Sequence, residues 1–234
     1  MAGDPRHGAA AGYRGRPMDA AGASALWRGR GLAPAARLTL RASRRDEARS
    51  QGGYDPGVDD RAELLHAIRT GAVVRGDFVL SSGQRASWYV DLRRVLLAGR
   101  YAPIAGRVML AATADLSYEA VGGLTLGADP VAAAMMHAAA RDGRILDAFV
   151  VRKGEKAHGL QRRIEGPDVA GRRVLAVEDT STTGGSVLTA VSALQEAGAE
   201  VAGVAVLVDR GAGARITALG LPYRAAYSQP DLGA

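Results

Sequence analysis

Between Glu119 and Leu219 the chain repeats one unit: a short apolar strand, a polar or glycine-rich loop, then a helix. No other feature constrains the fold as much, because strands joined through helical crossovers run parallel. The strands read as Glu119 to Gly122, Ala148 to Val151, Arg173 to Val177 and Val201 to Val208. The helices read as Pro130 to Arg141, Gly185 to Ala197 and a stretch near Ala212 to Leu219. The pattern implies an α/β fold with a central parallel sheet flanked by helices on both faces. Its crossovers should be right-handed, and ligands should sit beyond the carboxyl ends of the strands.

Upstream, an amphipathic helix starts at Asp59 or Asp60, with Leu64, Leu65 and Ile68 sharing one face. Val73 to Leu80 and Trp88 to Leu92 read as extended segments joined by the turn Ser81-Ser82-Gly83-Gln84, and a second helix covers Tyr101 to Leu116. Residues 1–57 differ in kind. They are rich in Ala, Gly and Arg and have no lasting apolar period. They end in the turn signals Ser50-Gln51-Gly52-Gly53 and Asp55-Pro56-Gly57, and are expected to be a disordered or weakly ordered leader ahead of a domain at 58–234.

Charge follows the same division. The net of +6 separates into +5 from residues 1–57 and +1 from residues 58–234. The domain therefore lacks the basic excess of a general nucleic-acid binder. Cysteine is absent, which excludes disulfides, thiolate metal sites and cysteine nucleophiles. No run of eighteen apolar residues offers a membrane-spanning helix. Arginine outnumbers lysine 28 to 2, and the two lysines, Lys153 and Lys156, lie three residues apart. Such a pair suggests a place that needs a compact, mobile ammonium.

The chemistry concentrates in Arg173 to Ser186. An apolar strand ends in two acids, Glu178 and Asp179. Thr180, Ser181, Thr182, Thr183, Gly184, Gly185 and Ser186 then lead into a helix packed through Val187, Val191 and Leu194. Glycines let backbone N–H groups approach an anion, hydroxyls add donors, and a helix start adds a favourable dipole. A phosphate monoester suits this turn. The acids suit the two vicinal hydroxyls of a ribose beside it, or a magnesium held through water. The other phosphate motifs, G-x-x-x-x-G-K-[ST] and a helix-opening G-x-G-x-x-G, are missing from the sequence.

This stretch resembles the phosphoribosyl-pyrophosphate signature of the type I phosphoribosyltransferases. Three further segments resemble the orotate phosphoribosyltransferase family. Phe149 to Gly159, which contains Arg152, Lys153, Lys156 and His158, is similar to its mobile catalytic loop. Phe78 to Gly83, with Tyr89-Val90-Asp91-Leu92-Arg93, is similar to its amino-terminal substrate segment. Val208-Asp209-Arg210 is similar to the strand end that supplies an orotate-binding arginine. The likeness covers about Asp59 to Tyr227. It implies the type I phosphoribosyltransferase fold with a small amino-terminal substrate-binding hood, and synthesis of orotidine 5′-monophosphate in pyrimidine biosynthesis. It also implies magnesium as cofactor, a cytoplasmic setting, and a homodimer whose mobile loop reaches the neighbouring active site.

By the same resemblance Lys156 is the first candidate for catalysis, with Glu178 and Asp179. Arg152, Lys153, Lys156 and His158 join residues 178–186 in binding phosphoribosyl pyrophosphate. Thr182, Arg210 and Tyr89 bind orotate, although Tyr89 reads equally as a strand residue packed on the core. The glycine-rich Gly122 to Pro130 reads equally as a pyrophosphate loop and as a tight strand-to-helix turn. Many family members carry lysine where this chain has Ser81. Two other readings remain: a phosphoribosyltransferase for another purine or pyrimidine, or a regulator that senses phosphoribosyl pyrophosphate on the same fold.

Overall fold

The computed structural model describes residues 59–79, 85–154 and 163–233. The expected leader, the Ser81 turn, Lys156 and His158 lie outside them.

Asp59 caps the first helix, its carboxylate accepting from the Arg61 N–H at 3.0 Å, and α1 runs Asp60–Ala67. Leu64 and Ile68 are buried as the apolar spacing requires, and Leu65 packs at the edge of the same core. A π-helical turn, Ile68–Ala72, leads into β1 (Val73–Val79), which pairs antiparallel with β2 (Arg85–Val90). This two-stranded ribbon is the expected hood. A short helix, α2 (Arg93–Leu96), and then α3 (Ala102–Ala112) follow. α3 ends four residues earlier than the sequence suggests. Thr113 turns its hydroxyl back onto the Met109 carbonyl at 2.9 Å and meets the Tyr118 hydroxyl at 2.7 Å, and this pairing leaves the helix behind.

The remaining elements build the main sheet: β3 (Ala120–Leu124), α4 (Ala128–Arg141), β4 (Asp147–Val151), β5 (Ile164–Glu165), β6 (Arg173–Ser181), α5 (Gly185–Glu196), β7 (Glu200–Asp209), α6 (Gly213–Ala218) and β8 (Tyr223–Ser228). Strand order is β5-β4-β3-β6-β7-β8. All neighbours are parallel except β5, which runs antiparallel on the edge. Side chains alternate between the faces. Along β6, Leu175 and Val177 enter the core that holds α1, α3 and α4, whereas Val174 and Ala176 enter the core beneath α5 and α6. The α3–α4 packing is close enough that a Cβ on Gly106 would fall 2.1 Å from the Ala134 carbonyl oxygen.

Three differences from the sequence reading bear on the site. β6 extends through Ser181 instead of stopping at Val177, because it keeps pairing with β7 as far as Ser181 opposite Asp209. The two acids are therefore strand residues. β8 carries too little alternation in Tyr223-Arg224-Ala225-Ala226-Tyr227-Ser228 to announce itself, yet β7 recruits it. β5 lies inside what reads as a polar loop, at the end of the segment that follows β4. Among the described residues no helix is long and apolar enough to cross a membrane.

Candidate active site

Chain order reverses between β3 and β6: from β3 the chain steps outward to β4, then returns to place β6 on the other side. Loops diverge at such a point and leave a crevice beyond the carboxyl ends of the strands. A cleft of about 310 Å³ lies there, between the ends of β3 and β6 and the hood. Its lining includes Glu178, Asp179, Thr180 and Ser186 from the β6–α5 region, Lys153 after β4, and Tyr89 and Arg93 beside the hood.

The acid pair forms the floor. Glu178 is buried and Asp179 half-buried. Burial, with the charges of Asp179 and Asp129 beside it, pushes the Glu178 carboxyl up to about 8. Burial also raises Asp179, opposed by the hydrogen bond that its Oδ1 accepts from the Thr180 N–H at 2.7 Å. Burial therefore favours protonation at Glu178. The turn after β3 closes directly over both acids. A Cβ on Gly127 would lie 2.6 Å from Asp179 Oδ1 and 2.7 Å from Glu178 Oε1. This gives Gly127 a steric reason that the bare glycine-rich pattern could not supply.

Gly184 adopts φ +78°, a left-handed conformation suited to glycine, and so turns the chain into α5. Thr182, Thr183, Gly185 and Ser186 are exposed at that helix start, whereas Ser181 is buried. The Thr183 hydroxyl accepts from the Gly185 N–H at 3.4 Å, and the Thr183 carbonyl accepts from Arg215 at 2.9 Å. Among the described residues, Thr180 Oγ1 and Asp129 Oδ1 are buried without a hydrogen-bond partner. An orphaned hydroxyl and an orphaned carboxylate oxygen next to an acid pair suit a polar occupant.

Arg152 sits at the base of the basic loop. Its N–H donates to the Arg163 carbonyl at 2.8 Å and its guanidinium meets Glu165 at 3.5 Å. Lys153 is exposed in the cleft. Arg210 and Thr182 are not among the residues that line the cleft; the Arg210 N–H donates to the Ser181 carbonyl at 2.8 Å, tying the end of β7 to the turn after β6. Burial lowers the pKa of Arg210, and among the described residues its Nε has no hydrogen-bond partner. Tyr89 is 40% exposed and lines the cleft, so it is not a core residue.

Two neighbours escape the sequence reading. Arg93 enters the cleft paired with Asp91 at 2.7 Å and close enough to Asp179 to interact with its charge. Trp88 places its ring 4.6 Å from the Arg210 guanidinium carbon. The Asp-Leu-Arg string was legible as part of the substrate segment, but the direction of Arg93 was not. For Trp88 the strand register decides which of two adjacent aromatics faces Arg210, and sequence does not set that register. His66 and His137 are exposed and contribute nothing to the cleft.

Comparison with known proteins gives the same placement. Residues 122–216 match the family model of the phosphoribosyl transferase domain. An orotate phosphoribosyltransferase of Streptomyces avermitilis is 65% identical over 178 residues, 75% of this chain and 98% of that protein. One from Mycobacterium tuberculosis is 58% identical over 176 residues, 74% of this chain and 97% of that protein. The crystal structure of the Mycobacterium tuberculosis orotate phosphoribosyltransferase in complex with 5-phospho-α-D-ribosyl 1-diphosphate superposes with a TM-score of 0.66 at 53% identity. It covers 75% of this chain and 100% of that one.

Proposed function

The chain belongs to the orotate phosphoribosyltransferase family, which makes it a pentosyltransferase acting on orotate, and we propose that the cleft between β3 and β6 is where its own residues carry that reaction. The fold is that of the type I phosphoribosyltransferases. The reaction breaks the bond from C1 of the ribose to pyrophosphate and joins C1 to a ring nitrogen of orotate. Negative charge grows on the departing pyrophosphate while the ribose becomes oxocarbenium-like. The protein's work is to align the two partners and stabilise the departing anion.

In this reading the 180–186 turn binds the 5-phosphate through backbone N–H groups and the hydroxyls of Thr180, Thr182, Thr183 and Ser186. Glu178 and Asp179 accept from the ribose hydroxyls. Arg152, Lys153, Lys156 and His158 supply positive charge to the pyrophosphate, with Lys156 the catalytic residue of the loop. Thr182, Arg210 and Tyr89 take the base, the guanidinium fork matching the orotate carboxylate. The single observation that carries the reading is the joining of acid pair, glycine turn and Arg210 at one switch point. The Arg210–Ser181 backbone bond sets the base side beside the phosphate side.

Magnesium fits the donor set. The candidates are hard carboxylate oxygens from Glu178 and Asp179, and no cluster of three or more metal-ligating side chains occurs among the described residues. Hard carboxylate oxygens of this kind suit an ion held by one or two carboxylates together with the cosubstrate's own oxygens. When bound, magnesium would neutralise phosphate charge. The reading extends to a homodimer and a cytoplasmic setting, the first of which sedimentation tests directly.

The kinetic test uses two variants. Lys156→Ala is expected to lower kcat by orders of magnitude. Arg210→Ala is expected to raise the orotate KM while leaving that of phosphoribosyl pyrophosphate within a few-fold. Equal losses for both substrates in Arg210→Ala would remove Arg210 from the base site.

A further inference from the structure

We propose that Trp88 is a positioning residue for the base: its indole is a platform that holds the Arg210 guanidinium by one face and leaves the in-plane N–H donors for the carboxylate of orotate. The inference rests on the reading of Arg210 given above and adds the device that prepares it.

The Arg210 guanidinium carbon lies 4.6 Å from the centre of the Trp88 ring. Among the described residues no carboxylate forms an ion pair with Arg210, and its Nε is buried without a partner. A half-buried cation normally recruits an acid. Here it has an aromatic face instead, and the difference matters chemically. A carboxylate partner would occupy the donor edge and cancel the charge. An aromatic face attracts the cation through its quadrupole and uses no N–H at all. The charge and the fork therefore both remain available to an incoming planar anion.

The platform is itself held. Trp88 pairs with Arg75 across the β1–β2 ribbon and packs against the main core, so the ring is braced by the hood. Arg210 is held from the other side through its backbone bond to Ser181. Trp88 meets the arginine with its ring, while Tyr89 lines the cleft and lies close enough to Arg210 to interact with its charge, so one dipeptide of β2 flanks the cation and forms the open wall of the site. The arrangement selects for a base that carries an anionic group, because a neutral base would leave the desolvated guanidinium uncompensated.

The test separates the ring's face from its bulk in the full-length chain. Trp88→Leu keeps an apolar side chain without a π-face, and Trp88→Phe keeps a smaller face. Trp88→Leu is expected to raise the orotate KM about tenfold, the scale of one desolvated cation–π contact. Trp88→Phe should stay within about threefold, and kcat and the KM for phosphoribosyl pyrophosphate should hardly move in either. In an Arg210→Ala background, Trp88→Leu should have no further effect on orotate, since the two act as one unit. A measurement that leaves Trp88 intact guards against a misfolded variant. In Trp27→Phe, Trp88 is the sole tryptophan, and orotate should change its emission, with inner-filter correction, at concentrations near the orotate KM.

Equal KM changes for both substrates, equal behaviour of Leu and Phe, or emission indifferent to orotate would each overturn the proposal. If Arg210→Ala raises the orotate KM but Trp88→Leu does not, the assignment of Arg210 survives and the role of Trp88 falls. If Arg210→Ala leaves orotate unaffected, the reading of the base site fails and takes this inference with it.

Discussion

Gly127→Ala isolates the packing of the β3 turn on the acid pair. Gly127 has φ −66° and ψ −40°, a conformation any L-residue adopts, so alanine adds no backbone strain and the whole effect is steric. The new Cβ would sit 2.6 Å from Asp179 Oδ1 and 2.7 Å from Glu178 Oε1, where ordinary contact begins at 3.4 Å. The two oxygens must retreat by about 0.8 and 0.7 Å, or the turn must lift by as much. Asp179 Oδ1 is also the acceptor for the Thr180 N–H at 2.7 Å, so its retreat disturbs the strand end that begins the phosphate turn. Overpacking of this size costs about 1–3 kcal/mol of stability. A misplacement near 1 Å in a positioned site costs about 100-fold in rate. The assay is loss of orotate absorbance under varied phosphoribosyl pyrophosphate. The expected result is a fall of about 100-fold in kcat/KM for the cosubstrate, with melting lowered by only a few degrees. Gly99→Ala, where nothing lies within 4 Å of the new Cβ, is the control and should match the parent. Activity within threefold of the parent in Gly127→Ala would refute the claim that this turn closes on the acids.

Gly106→Ala should act on stability alone. Its Cβ would fall 2.1 Å from the Ala134 carbonyl oxygen, so α3 and α4 must separate. Melting should drop by roughly 6–12 °C, about 3 kcal/mol at 2–4 °C per kcal/mol for a chain of this size. Because burial raises Glu178 from 4.5 to about 8, the native state holds a proton that the unfolded chain has already released across that window. The contribution of Glu178 to stability should therefore be full below about pH 4.5 and fall by an amount on the order of a few kcal/mol as pH rises to 8, as urea unfolding at several pH values will measure. Glu178→Gln should flatten this slope, and an unchanged slope would contradict the assignment. Arg93→Ala removes a cation from the cleft near Asp179 and should raise the KM for phosphoribosyl pyrophosphate by about five- to tenfold with the orotate KM little changed.

The sheet was legible because its strands are short apolar runs separated by unmistakable helix signals. Val174 to Val177 and Val204 to Val208 are buried without exception. The acid pair and its turn were legible for the same reason, since an apolar strand that ends in two carboxylates and then hydroxyls and glycines has few other uses. What stayed hidden depends on pairing between distant segments. Glu178 and Asp179 belong to β6 only because β7 continues alongside them. β8 is a strand because β7 offers it an edge. Tyr89 and Trp88 could have exchanged roles had β1 and β2 paired one residue out of register. Gly127 looked like one glycine of a degenerate loop until the carboxylates beneath it were in place.

The most direct test of the central claim is base selection by the full-length chain. Orotate, uracil, adenine, guanine and hypoxanthine are offered in turn with phosphoribosyl pyrophosphate and magnesium, and nucleotide formation is followed. The account expects orotidine 5′-monophosphate from orotate and no measurable product from the four neutral bases. Turnover of a neutral base at a rate comparable to orotate would contradict the assignment of the Arg210 side of the cleft to an anionic base.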